Sequence, residues 1–129
     1  MDIDLKKLSQ KGLDVPLPKL DCFPTQFKNY LITHHVPEYT SVCPKTGMPD
    51  FGKITLQYIP NGLCVELKSF KYYIHAYRNI GISYENVVNK ILQDIVKACK
   101  PKWAYVKGDF TPRGGIHSTV EAEYGKKPK

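Results

Sequence analysis

The most chemically suggestive stretch of the chain is Cys43-Pro44-Lys45-Thr46-Gly47-Met48-Pro49-Asp50-Phe51. It sets a thiol and a carboxyl on one short loop shaped by proline and glycine. A thiol becomes a nucleophile when it is partly exposed beside positive charge or a base. Lys45 brings charge nearby, and Asp50 can give or take a proton. The same residues also fit a plainer role, with Cys43 a small buried apolar group and Asp50 a turn former. A second stretch, Val65-Glu66-Leu67-Lys68-Ser69-Phe70-Lys71-Tyr72-Tyr73, spaces Lys68 and Lys71 at a helix start, where free backbone N–H groups favour a phosphate. A solvated first helical turn would look the same. In a third, Gly108-Asp109-Phe110-Thr111-Pro112-Arg113-Gly114-Gly115, the glycines let backbone and guanidinium approach a ligand together. An ordinary hairpin turn is the alternative.

The rest of the chain must hold these segments in place. Residues 1–25 carry Pro16, Pro18 and Pro24 with no clear period and read as an arm. Phe27 to Val36 is β-prone and predicts a first strand, followed by a Pro- and Gly-rich loop from Pro37 to Gly52. Lys53 to Ile59 alternates strictly, as a half-buried strand does, and Pro60-Asn61-Gly62 closes it with turn chemistry. After a short apolar stretch, Leu63 to Leu67, the spacing of Phe70, Tyr73, Ile74 and Tyr77 predicts a helix broken by Asn79 and Gly81. Ser83 then suits an N-cap for a second helix with Val87, Val88, Ile91, Leu92, Ile95 and Val96 on one stripe. Lys97 and Lys100 fit its C-terminal end, and Pro101 stops it. Trp103–Val106 and Ile116–Tyr124 read as closing strands around a turn at 111–115. The order β-β-α-α-β-β gives an α+β domain over 26–125, with two helices on one face of an antiparallel sheet, and a basic tail at 126–129. Such a sheet has two free edges, and pairing them predicts an assembly of several chains.

Length and composition bound the rest. The chain's 129 residues suit one domain with a modest core, and its 42% hydrophobic and 24% charged content is that of a soluble globular protein. The N-terminus MDIDLKKLSQ has no apolar signal region, and no run approaches the roughly 18 apolar residues that cross a bilayer. A cytoplasmic protein without membrane contact is expected. A net charge of +7 admits an anionic partner such as nucleic acid or a phosphorylated cofactor, although much of it sits in the terminal lysines. Cys22, Cys43, Cys64 and Cys99 form no CxxC pair, so no metal is expected, and a reducing compartment would leave them as free thiols.

Taken in order, Cys-Pro-x-Thr-Gly-x-Pro-Asp-Phe, Glu-Leu-Lys-Ser-Phe-Lys-Tyr-Tyr and Phe-Thr-Pro-Arg-Gly-Gly resemble the 7-cyano-7-deazaguanine reductases, the QueF family, in its short single-module form. The similarity runs from about Val36 to Gly125. It implies the tunnelling fold (T-fold), built of β-β-α-α-β-β units in rings with sites between subunits of a homo-oligomer. It also implies an NADPH-dependent reduction of a nitrile to an aminomethyl group in tRNA queuosine biosynthesis. By the family motifs, Cys43 would be the nucleophile and Asp50 the general acid/base. Glu85, Glu66 and Tyr84 would bind substrate. Lys68, Ser69, Lys71, Arg113 and Gly114 would hold NADPH. The family commonly has His immediately before the substrate-binding Glu; here that residue is Tyr84. A phenol, with a reference pKa near 10, is a poorer proton shuttle at neutrality than imidazole.

Two other functions fit parts of the chain. An amidino- or amidotransferase could use the same thioimidate chemistry on cyano-deazaguanine already in tRNA, but it would have no use for the lysines that are intact here. A non-catalytic nucleic-acid module needs aromatics exposed on a basic face, whereas most Tyr and Phe fall on predicted core stripes. Direct tRNA binding is not expected.

Overall fold

The computed structural model describes residues 4–128. Its elements are α1 (Leu5–Leu8), β1 (Cys22–Pro24), β2 (Ile32–Val42), β3 (Pro49–Ile59), β4 (Leu63–Val65), α2 (Leu67–Ala76), a 3-10 turn (Tyr77–Asn79), α3 (Tyr84–Cys99), β5 (Trp103–Arg113) and β6 (Ile116–Gly125). The main sheet is antiparallel in the order β2-β3-β5-β6, and β1 pairs with β4 in a separate ribbon.

Strict alternation puts Ile54, Leu56 and Tyr58 of β3 on one face, beside Ala104 and Val106 of β5, all buried. Both longer helices cover this face. Val87, Val88, Ile91, Leu92 and Ile95 of α3 are buried as the apolar stripe requires, and Val96 is partly so. Phe70, Tyr73 and Ile74 of α2 and Tyr77 of the 3-10 turn complete the core. Burying each such aliphatic or aromatic side chain contributes about 1.5–3 kcal/mol. The Ser83 hydroxyl accepts from Asn86 N–H and caps α3, as its position predicts. The other sheet face carries Lys53, Thr55, Gln57, Lys107, Asp109 and Glu121 and is left uncovered by any element among the described residues.

Several boundaries differ from the sequence expectation. The expected first strand starts at Ile32 rather than Phe27 and runs to Val42, into the first part of the expected loop. A register shift between Val36 and Tyr39 absorbs Pro37, which has no N–H to give the ladder. β3 likewise begins at Pro49, and β5 continues from Val106 to Arg113. The intervening true loop is short. Cys43 N–H donates to the Met48 carbonyl at 2.8 Å and Gly47 N–H to the Cys43 carbonyl at 2.9 Å, with Gly47 at φ 73 closing the turn. Part of the N-terminal arm is tied down as well, since Cys22–Pro24 pairs with Leu63–Val65, and Asn86 donates to the carbonyl of Ser9.

Candidate active site

Two backbone links bring the active segments together. Val42 N–H donates to the Ile80 carbonyl, and Ile82 N–H to the Val42 carbonyl, so the α2–α3 connection lies along the end of β2. That places the first turn of α3, with Tyr84, over the Cys43 loop and the start of β3. From the far side, the end of β5 delivers Phe110 and Arg113. The Tyr84 ring lies flat on Phe110, with centroids 3.8 Å apart and planes 5° from parallel, and the Arg113 guanidinium sits over the same ring, 5.3 Å from its centroid. Gly108 makes room for this platform, because a Cβ there would stand 2.6 Å from the Phe110 ring.

Asp50 is only 2% exposed and lies at the centre. Its Oδ1 accepts from Arg113 Nη1 at 2.6 Å and from the Tyr84 hydroxyl at 3.3 Å. Burial pushes the carboxyl above its ordinary range, and the Arg113 charge and the Tyr84 hydrogen bond only partly offset it. A carboxyl raised in this way holds a proton more readily than an exposed one. Cys43 is buried behind the same groups, at 7% exposure. Burial would raise its thiol, but the Thr46 hydroxyl, the Thr46 and Lys45 backbone and the Arg113 guanidinium favour the thiolate more strongly, bringing it down to about 7. Cys22 and Cys99 are pushed the other way, chiefly by burial, Cys99 to about 12. All four cysteines are free thiols. Cys43 is thus set apart from Cys22 and Cys99 by its donors.

The remaining sequence candidates lie in other settings. Glu66 is the N-cap of α2, its two carboxylate oxygens accepting from Lys68 N–H at 2.6 Å and Ser69 N–H at 2.9 Å. The Ser69 hydroxyl donates to the Glu66 carbonyl at 2.8 Å and accepts from Asp21 N–H at 2.9 Å, which anchors the chain leading into β1. Lys68 and Lys71 are exposed on α2 and make no ion pair among the described residues. Arg113, expected at cofactor phosphates, has its guanidinium on Asp50 and beside Cys43. Gly114 lies at φ 58 in the exposed β5–β6 turn. Glu85 is exposed in the first turn of α3, next to Tyr84. Thr46 and Phe110 join this group as well, and both lie inside the segments that carry Cys43 and Arg113. What would have marked Thr46 is its hydroxyl, three residues from the thiol in a closed turn.

A thiol with a lowered pKa, a buried carboxyl and one arginine between them make a set of groups suited to cysteine-dependent capture of an electrophilic carbon. The comparisons make this particular. The family model described as QueF-like protein matches residues 49–129. The chain is 57% identical to the NADPH-dependent 7-cyano-7-deazaguanine reductase of Elusimicrobium minutum, covering 98% of each chain. It is 61% identical to the protein of the same name in Chloroherpeton thalassium, over 81% of this chain and 92% of that one. Among solved structures, that of an archaeosine synthase QueF-Like in the apo form aligns with a TM-score of 0.72 and 25% identity, covering 79% of this chain and all (100%) of that one. The chain belongs to the QueF family, and its α+β architecture is the tunnelling fold.

Proposed function

We propose that the protein is a nitrile reductase that converts 7-cyano-7-deazaguanine to 7-aminomethyl-7-deazaguanine with NADPH, for tRNA queuosine biosynthesis in the cytoplasm. The observation that carries this reading is the Cys43 thiol, held near pKa 7 beside the buried Asp50–Arg113 pair. A nitrile carbon is a poor hydride acceptor, and covalent capture changes that. The Cys43 thiolate adds to the nitrile carbon while protonated Asp50 gives its proton to nitrogen, forming a C–S bond and leaving a thioimidate, S–C(=NH). Arg113 favours the thiolate before attack and balances Asp50 once its proton has gone. Tyr84 holds the carboxyl in place by its hydroxyl and rests on Phe110. Glu85 accepts from the adjacent N–H groups on the deazaguanine's ring edge, which a carboxylate can do in pairs.

The cofactor fits the exposed side of α2. Lys68 and Lys71 project from its first turns, with Arg78 in the 3-10 turn that follows, all exposed, and their charges suit the phosphates of an elongated dinucleotide. Bound there, NADPH supplies the hydrides of the reduction. Glu66 and Ser69 serve by fixing the helix start from which the lysines extend. The free outer edges of β2 and β6 support a homo-oligomer with sites between subunits. Identity of 57% to a named reductase, against 25% to the archaeosine synthase, favours reduction over transfer to tRNA. No helix among the described residues is long and apolar enough to cross a membrane. The test is to mix protein, 7-cyano-7-deazaguanine and NADPH and follow nicotinamide absorbance, with mass analysis of the product. Loss of absorbance with formation of the amine supports the reading, and an unchanged mixture rejects it.

A further inference from the structure

The N-terminal arm presses on the chain that carries Tyr84 into the site. Gly12 is buried, with φ at +87, a backbone conformation that residues with a side chain rarely adopt. A Cβ there would stand 2.6 Å from Ile82 Cβ and 2.8 Å from the Gly81 carbonyl oxygen, so the arm backbone lies directly on the α2–α3 connection. Asn86, in the first turn of α3, holds it there. Its backbone N–H is taken by the Ser83 cap. Its side-chain Nδ2 points the other way and donates to the Ser9 carbonyl at 3.0 Å and the Lys11 carbonyl at 3.4 Å. Backbone bonds from Leu8, Ser9, Gln10 and Lys11 wind this part of the arm into a coil that presents those carbonyls as a unit.

This contact adds little to the core. From position 4 to position 13 only Gly12 is buried, and Leu5 is 72% exposed. What lies beneath the contact is the framework of the site. Ile82 N–H donates to the Val42 carbonyl at 3.1 Å, one residue before Cys43. A Cβ on Gly81 would lie 3.4 Å from Lys11 Cε on one side and 3.6 Å from Pro44 Cα on the other, so Gly81 separates the arm from the Cys43 loop by backbone alone. Two residues after Ile82, the Tyr84 hydroxyl reaches Asp50 Oδ1 at 3.3 Å. That is longer than the roughly 2.5–3.0 Å usual between oxygens. A small shift of α3 decides whether this bond holds.

We propose that residues 9–12 form a brace that keeps the first turn of α3 at its working distance from Asp50, with Gly12 and Asn86 as positioning residues for Tyr84. The inference rests on the nitrile-reductase reading. The brace makes and breaks no covalent bond. It acts through Tyr84 on the orientation of the carboxyl that protonates the nitrile nitrogen. Lys68 and Lys71, at the start of α2, lie at the other end of that helix from the braced connection.

The deciding variant is Asn86→Asp, because Gly12→Ala can disturb folding through Ile82. Asp keeps the size and suits the positive end of α3, but has no N–H for the arm's carbonyls. Trypsin should cut after Lys6, Lys7 and Lys11 faster than in the parent protein, while melting temperature holds level. The adduct with 7-cyano-7-deazaguanine should form more slowly, and kcat should fall on the order of tenfold, as a displaced catalytic group requires. KM for NADPH should not change. Asn86→Gln, which keeps the amide donor, should retain most of the rate. In a Tyr84→Phe background, Asn86→Asp should cost much less than it does alone. An arm cut no faster, or a freed arm with kcat unchanged, would overturn the brace. So would equal costs in the two backgrounds, or a rise in KM for NADPH that matches the fall in kcat, since a general loosening moves both. Absence of adduct and amine in the parent protein would instead defeat the reductase reading, so the two failures are distinguishable.

Discussion

The two halves of β3 follow one pattern and reach opposite ends. From Ile54 to Tyr58 the inward side chains are apolar and sealed by α2 and α3. At Asp50 the same face and the same alternation bury a carboxyl, with Ser41 opposite it and Tyr84 and Arg113 around it. Burial in the first half gains free energy directly. In the second half it costs free energy, because the Asp50 carboxyl and the hydroxyls of Tyr39 and Ser41 leave water with incomplete replacement. The same burial raises Asp50, and the donors around Cys43 lower its thiol. The contrast between the two halves is one between stability and chemistry, and mutations should separate them.

The largest effect expected is at Cys43, the proposed nucleophile. Cys43→Ala should abolish the covalent adduct seen by intact mass and lower turnover by a factor of about 10⁴ or more, with little change in melting temperature. An adduct that survives there but vanishes in Cys22→Ala, Cys64→Ala or Cys99→Ala would move the reactive thiol into the other half of the molecule. Asp50→Asn keeps size and removes the transferable proton, so kcat should fall by roughly 10²–10⁴ while fold is retained. Leu56→Ala, at the next inward position of β3 after Ile54, should do the reverse. It should cost about 2–5 kcal/mol in denaturant unfolding and leave the pH dependence of the residual activity in place.

Smaller changes sharpen the contrast. Arg113→Ala removes one donor that favours the Cys43 thiolate, so the thiol should titrate above about 7 and its alkylation by iodoacetamide at pH 7 should slow. The sign is set by the charge: the thiolate form loses its partner, the neutral thiol does not, and the rate–pH curve moves to higher pH. A curve that stays in place would assign the lowered value to the Thr46 and Lys45 contacts alone. The smallest effect is at Glu66, whose replacement by Ala should cost about 1 kcal/mol as a lost N-cap. An additional large loss of substrate binding in that variant would show that Glu66 does more than start α2.

Much of this was legible in the residues. The α3 stripe from Val87 to Ile95, the Ser83 cap and the strict alternation of β3 are local signals, repeated over enough residues to survive any tertiary context. The three motifs carry the family resemblance, and they contain Cys43, Asp50 and Arg113, which the structure brings together. Other features depended on distant partners. Pro37 and the glycines made the end of β2 and the start of β3 look like loop, and only pairing with neighbouring strands drew them into the sheet. The hydrogen bonds of Glu66 and Ser69, at a helix start and beside Asp21, likewise depend on partners the linear order does not show. Most of all, the linear order says nothing of the ion pair between Asp50 and Arg113, 63 positions apart, or of Tyr84 closing over both. The kinds of residue and their periods were determined by the sequence alone. Which of them share a dry corner, and therefore what their protons do, was decided by the strand register and by the Val42–Gly81 bridge, because electrostatics acts through space and not along the chain.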